Sequence, residues 1–217
     1  MNNSITPPKI NVPHASHAAF ALDDGTAWDG LSPLTPFQLA DGSAPAVQQT
    51  TVRVCFDETA LYIRWDCEDT DIWGTYTKRD EPLYEQEVVE VFVGAGTADL
   101  IDYFEFQISP DGVLFDGIVF NPTSTREHLK VDPVWNCPGI RWMAQRTDAA
   151  NEWWAAMAIP WSAITADGNV PTHCRANFYR IDRPHDGTDE YSCWSPTMTE
   201  PADFHKPAYF GILELTR

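Results

Sequence analysis

The sequence predicts an all-β protein, an antiparallel sandwich of two sheets. Three observations predict it. Apolar and polar residues alternate along run after run of the chain, turn residues recur about every 8–12 positions, and no stretch carries the spacing of a long helix.

The elements follow in order. Residues 1–19 are polar and Pro-rich and read as an arm lying on the domain; residues 20–217 show no linker and no internal repeat and read as one domain. The stretch ALDDGTAWDGLSPLTPFQLADGSAP is broken every few residues by Asp, Gly or Pro, so it is a short strand or loop, tied down by Trp28 and Phe37. Two strands then flank the turn Asp57-Glu58-Thr59. Val52, Val54 and Phe56 share one face of the first, and Leu61, Ile63, Trp65 and Cys67 one face of the second. In EVVEVFVG, Val89, Val91 and Val93 oppose Val88, Glu90 and Phe92. YFEFQISPDGVLFDGIVF is a hairpin around Pro110-Asp111-Gly112. RWMAQRTDAANEWWAAMAIPW supplies two more strands around residues 148–151, although Ala content would also allow a helix in WWAAMAIPW. Trp161-Ser162-Ala163-Ile164 reads as one helical turn after Pro160. HCRANFYRIDR is a strand with Ala176, Phe178 and Arg180 opposed to Asn177, Tyr179 and Ile181. YSCWSPTMTEPADFHKPAYFGILEL reads as an exposed Pro-rich loop and a final strand, for about nine to eleven strands in all.

Composition narrows the function. Lys and Arg total 14 against 32 Asp and Glu, a formal charge of −18, which repels nucleic acid and anionic bilayers. No run approaches the roughly 20 apolar residues of a membrane span. The start MNNSITPPKINVPH shows no secretory pattern. The five Cys are odd in number and lack C-x-x-C spacing, so free thiols are expected, with Cys55 and Cys67 the pair best placed to contradict this; the odd count favours a reducing, cytoplasmic compartment, and secretion stays open.

Motifs for nucleotide, phosphate, serine-hydrolase or zinc-protease chemistry are missing. His14 and His17 hint only weakly at a metal. Asp99, Asp102 and Asp111 could hold structural calcium through oxygen ligands. Glu85, Glu87, Glu90 and Glu105 are available as carboxylates, and a glycosidase would need two of them roughly 5–9 Å apart. The nine Trp are the stronger clue. Trp194 lies in CWSPTM, and Trp73 and Tyr84 flank KRDEPLYEQE. Rings held in loops beside carboxylates and amides suit a sugar, whose C–H faces stack on the ring while its hydroxyls take hydrogen bonds.

The segments VRVCFDETALYIRWDCEDTDI, RDEPLYEQEVVEVFV, YFEFQISPDGVLFDGIV, RANFYRID and CWSPTMTEPADFHKPAYFGILEL together resemble the family 9 carbohydrate-binding modules, in particular their stand-alone members, over roughly residues 20–215. The resemblance implies a jelly-roll-like sandwich and non-catalytic binding of glucan or xylan ends between two rings. These rings match Tyr84, where the family carries Trp, and Trp194. It implies polar contacts from Glu90 and from the hairpin strand near Glu105 and Gln107, where the family has Arg and Asn, with Trp73 as a further wall. Structural calcium is frequent in the family. Two alternatives stay open: a sugar hydrolase or lyase using Glu90 and Glu105, and a haem-binding sandwich drawing on Met198, His205, Met157 or Met143. With two carboxylates in the cleft, neutral sugars are expected over uronic acids.

Overall fold

The computed structural model describes residues 6–15 and 21–216, so His17 lies outside the described residues. Thirteen strands are found there: β1 (Lys9–Pro13), β2 (Gln38–Leu39), β3 (Thr50–Phe56), β4 (Ala60–Glu68), β5 (Val88–Ala95), β6 (Asp102–Ile108), β7 (Leu114–Phe120), β8 (Lys130–Asp132), β9 (Arg141–Thr147), β10 (Glu152–Pro160), β11 (His173–Asp182), β12 (Glu190–Cys193) and β13 (Gly211–Thr216). A single α-helical turn, α1 (Trp161–Ile164), follows Pro160 as expected. WWAAMAIPW is strand β10, because its residues alternate between two apolar environments.

The strands form two sheets. The small sheet runs β3-β4-β10-β9, and the large one runs β1-β13-β11-β5-β6-β7-β8. One edge of β11 is shared: β13 pairs with its first half and β12 with its second, and β2 extends β12. All pairings between these strands are antiparallel except β1 with β13. Lys9–Pro13, inside the segment read as an arm, is thus an integral strand, with Val12 buried in the core.

Three apolar layers result. Between the sheets lie the alternating rows foreseen from the pattern: Val52, Val54 and Phe56; Leu61, Ile63 and Trp65; Val89, Val91 and Val93; Ala176 and Phe178. The small sheet's outer face is covered by Leu22 and Trp28, packed on Cys55, Tyr62 and Ala156. The large sheet's outer face carries Val88, Phe92, Tyr103, Phe115 and Tyr179 under Phe204 and Phe210. The tryptophan count is largely structural, since Trp28, Trp65, Trp153 and Trp161 are all fully buried. Each such ring contributes about 2–3 kcal/mol through apolar burial, and Trp161 keeps its N–H paired by donating to the Asp57 carbonyl at 2.8 Å.

The segment after Tyr191 is not the exposed loop expected. It begins as β12 and then straps across the outer face of the large sheet, burying Cys193, Thr197, Phe204 and Phe210. Side chains of β11 hold the strap in place. Asn177 bonds both the N–H (3.0 Å) and the carbonyl (2.8 Å) of Ser195, Tyr179 donates to the Phe204 carbonyl (3.0 Å), and Arg175 donates to the Pro207 and Phe210 carbonyls (2.8 and 2.9 Å).

All five cysteines are buried and unbridged. Cys55 and Cys67 cannot pair, because Cys55 faces the outer layer of the small sheet and Cys67 the inter-sheet core. Burial pushes each thiol up to about 12. The native protein is therefore expected to react slowly with a thiol reagent at pH 8, and the denatured protein to release five groups, with reduction leaving the melting temperature unchanged. A titre of three or one would contradict this arrangement.

Candidate functional site

A cavity of about 540 Å³ opens on the outer face of the large sheet, beside the strap. Its floor comes from alternate residues of adjacent strands: Glu90 and Phe92 of β5, Glu105 and Gln107 of β6, Phe115 of β7 and Ile181 of β11. Strand register makes this grouping necessary. Glu90 stands directly opposite Gln107, Phe92 opposite Glu105, and Glu105 opposite Gly117 of β7. A side chain at Gly117 would press the Asp132 carbonyl at 3.0 Å, so glycine is what lets β8 close in beside the floor. The walls are Tyr84 from a short 3-10 turn (Leu83–Glu85), Arg126 from another (Arg126–His128), Arg183, Tyr191 of β12, and Phe204 and His205 of the strap.

The floor is unusually polar for a buried surface. Glu90, Glu105 and Gln107 are 2%, 4% and 1% exposed. Gln107 donates to Glu105 Oε1 at 2.6 Å, which leaves Glu105 Oε2 and Gln107 Oε1 with no hydrogen-bond partner among the described residues. Burial, and then repulsion from Glu105, holds the Glu90 carboxyl well above the usual carboxylate range, and burial pushes Glu105 up to about 7. His205 is pushed down to about 4 by burial and is a neutral ring bonded through Nδ1 to the Tyr103 hydroxyl at 2.8 Å. The two arginines of the walls are already engaged, Arg126 with Asp203 at 3.1 Å and Arg183 with Asp189 and the Tyr191 hydroxyl. Tyr84, 46% exposed, stands at the mouth with its ring accessible.

Four of the six residues singled out from sequence therefore meet here: Tyr84, Glu90, Glu105 and Gln107. Trp194 does not. Alternation continues one residue beyond β12, so Cys193 faces the outer layer and Trp194 turns into the inter-sheet side. Its ring lies on Gly211, where a methyl would stand 2.2 Å away, and packs against Phe178 at 5.7 Å between centroids. Trp73 also lies outside the cavity. It donates to the Arg183 carbonyl at 2.6 Å and rests against His185, bracing the chain behind the wall. The rings that do line the cavity from this end of the chain are Tyr191 and Phe204. The period of two would have found Tyr191, which shares its face with Cys193. Nothing local pointed to Phe204, Arg126 or Arg183.

A second polar centre is buried beside the site. Oxygens of Asp69, Glu87 and Asp182 lie within 4.8 Å of one another. The Arg180 guanidinium reaches Asp69 at 2.9 Å and Asp182 at 3.0 Å, while Glu87 Oε2 has no hydrogen bond. Burial pushes Glu87 up to about 10. Its other oxygen accepts from the Arg183 N–H, which links this centre to the cavity wall. The acidic residues first considered for calcium do not converge. Asp99 pairs with Arg175 at 2.9 Å and Asp111 with Arg146 at 3.2 Å, while Asp102 begins β6 in solvent. The candidate haem ligands are equally dispersed: Met157 is in the inter-sheet core, Met143 is packed on the small sheet's outer face, and Met198 is exposed.

The model of a family described as carbohydrate-binding family 9 matches residues 39–215. An extracellular protein of Arthroderma benhamiae is 24% identical over 171 residues, covering 75% of this chain and 76% of its own length. A crystal structure from Bacteroides uniformis, of a protein named for carbohydrate binding, superposes with a TM-score of 0.76 at 18% identity, covering 97% of this chain and 100% of the other. A family 9 module from Caldicellulosiruptor kristjanssonii in complex with glucose gives 0.65 at 12% identity, covering 96% and 95%. The cellotriose complex of a family 9 module from that organism gives 0.66 at 12% identity, covering 96% and 93%.

Two outcomes follow from this geometry. Trp194→Ala opens a void over Gly211 and is expected to cost about 2–4 kcal/mol, read as a lower denaturant midpoint with unchanged slope. Glu105 binds its proton more tightly folded than unfolded, so its contribution opposes folding increasingly as pH rises from about 4.5 to about 7. Glu105→Gln should therefore match the parent near pH 4 and exceed it near pH 7 by on the order of 2 kcal/mol, measured by chemical denaturation across that range.

Proposed function

The chain belongs to carbohydrate-binding family 9, and on that premise we propose that its outer-face cavity holds the end of a neutral glucan- or xylan-type saccharide without cleaving it. The family consists of non-catalytic binding modules, and this chain is a binding module and not an enzyme. The observation that carries the reading is the combination of one accessible ring, Tyr84, with a buried floor in which Glu105 Oε2 and Gln107 Oε1 lack protein partners among the described residues. An unpaired buried acceptor costs about 1–3 kcal/mol, and sugar hydroxyls are donors of the right size to satisfy it. Phe92, Phe115, Ile181 and Phe204 give the apolar surface for the sugar's C–H faces, and Tyr84 caps the opening. That modules of the same fold hold glucose and cellotriose supports the choice of ligand.

Structural calcium is part of the same proposal, relocated to Asp69, Glu87 and Asp182. Their oxygens lie close enough to share one ion at the 2.3–2.6 Å typical of calcium, and Glu87 Oε2, 3.8 Å from the Arg180 guanidinium and without a hydrogen bond among the described residues, is the oxygen left open to an ion. When bound, the ion would take the place of the proton that burial holds on Glu87 and join Arg180 in balancing the three acidic groups. The residues' own part is to hold Arg183 and the end of β11 in place.

Calorimetric titration with glucose, cellotriose and xylotriose is expected to show binding, with recovered oligosaccharide of unchanged length. Tyr84→Ala should weaken it about tenfold, the worth of one stacked ring at roughly 1–1.5 kcal/mol, at unchanged melting temperature. The absence of binding to all three would refute the assignment, and shortened product would favour hydrolysis. Separately, excess chelator should lower the melting temperature and calcium restore it; equal melting curves would remove the ion from the account.

A further inference from the structure

Resting on the saccharide reading above, we infer that the cavity selects a sugar carrying a free protonated amine, a hexosamine such as glucosamine, over its neutral counterpart. Among the described residues the floor's donors are the Gln107 amide, committed to Glu105, and the protons that burial holds on Glu90 and Glu105, which a bound cation would displace. Glu105 Oε2 and Gln107 Oε1 are unpartnered, the Gln107 amide donates to Glu105, and Glu90 makes no hydrogen bond among the described residues. Two buried carboxyls one strand apart repel each other once ionised. A neutral ring hydroxyl supplies one donor and no charge. An ammonium supplies three donors and a compact positive charge, which matches three convergent acceptors and relieves the repulsion.

Of the charged groups on the other walls, Arg126 acts through space to favour the ionised forms of Glu90 and Glu105, but its hydrogen bond goes to Asp203 and not to the floor. Arg126, on its own 3-10 turn, is held at the mouth by Asp203. Arg183, beyond the end of β11, is held by Asp189, and the Tyr191 hydroxyl of β12 accepts from it. His205 on the strap is neutral, and Tyr84 is at the rim. Positive groups thus sit at the entrance and acceptors at the bottom, so an amino sugar would enter with its amine toward β5 and β6 and its remaining hydroxyls toward the arginines. Because burial holds Glu90 and Glu105 toward their protonated forms, a cation seated between them expels protons into solvent.

The experiment is calorimetric titration of the full chain at pH 7 with glucose, cellotriose, glucosamine and N-acetylglucosamine. It is run in two buffers of different ionisation enthalpy, for the parent, Glu105→Gln and Glu90→Gln, each checked for an unreduced melting temperature. The expected result is glucosamine at least tenfold tighter than glucose, with proton release. N-acetylglucosamine should bind no better than glucose, and the glucosamine-to-glucose ratio should fall to within about threefold of one in at least one variant. If glucose or cellotriose binds and glucosamine is no tighter, the amine preference is wrong and saccharide binding stands. A preference that survives in both variants, or that N-acetylglucosamine shares, also overturns it. If none of the four sugars binds, the saccharide reading falls with it.

Discussion

The large sheet can carry a site because a segment without regular strand partners is held flat across one end of its outer face. Backbone N–H and C=O groups buried without partners are costly, and the strap that crosses β11 has few of its own kind to pair with. The outer row of β11 solves this with side chains. Arg175, Asn177 and Tyr179 lie at alternate positions on one strand and bond the backbone of Ser195, Phe204, Pro207 and Phe210. That row fixes where the strap runs, and the strap's Phe204 and His205 then become one wall of the cavity. Asn121 of the chain beyond β7 adds a further tie, donating to the His205 carbonyl at 3.0 Å. The wall is therefore positioned by buried, charge-assisted or amide hydrogen bonds rather than by loop packing alone, and its geometry is set before any ligand arrives.

The same sheet tolerates two buried polar groupings of opposite design. Around Arg180, one cation is shared by Asp69 and Asp182, with Glu87 close by, so much of the charge is compensated inside the protein. Beneath the cavity, Glu105 Oε2 and Gln107 Oε1 are left unfilled among the described residues. The first arrangement belongs to the scaffold, the second to the proposed site. A fold pays for such a floor with stability, and what it gains is a surface that only a ligand with matching donors can complete.

Much of the architecture was legible because the core-facing rows obey a period of two with few exceptions. The valines of β5, the row Leu61-Ile63-Trp65 and the Pro110–Gly112 hairpin all stand where the pattern puts them. So do Glu90, Glu105 and Gln107, which strand alternation alone places on one face. The misplaced elements share a different cause. Lys9–Pro13 pairs with a strand about 200 residues later, and no local pattern encodes that partner. Trp194 looked like a loop ring because proline and serine follow it, yet its environment is set by the bare Gly211 on another strand. The calcium-like acidic residues were chosen for closeness in sequence, whereas Asp69, Glu87 and Asp182 gather from the ends of three separate segments.

The unusual parallel strand has a consequence for how molecules meet one another. β1 occupies the outermost position of the large sheet on its side, and an outermost strand presents unpaired amides that invite a second chain to add on. Here that position is short and bracketed by imino acids, Pro7 and Pro8 before it and Pro13 at its end, with Lys9 and Asn11 between. Proline has no N–H to offer, and a charged side chain is poorly accommodated in a stacked sheet. Covering β13 with such a strand replaces an apolar, well-formed edge by one that is a poor template for sheet extension. That border of the large sheet is thus closed by chemistry rather than by bulk.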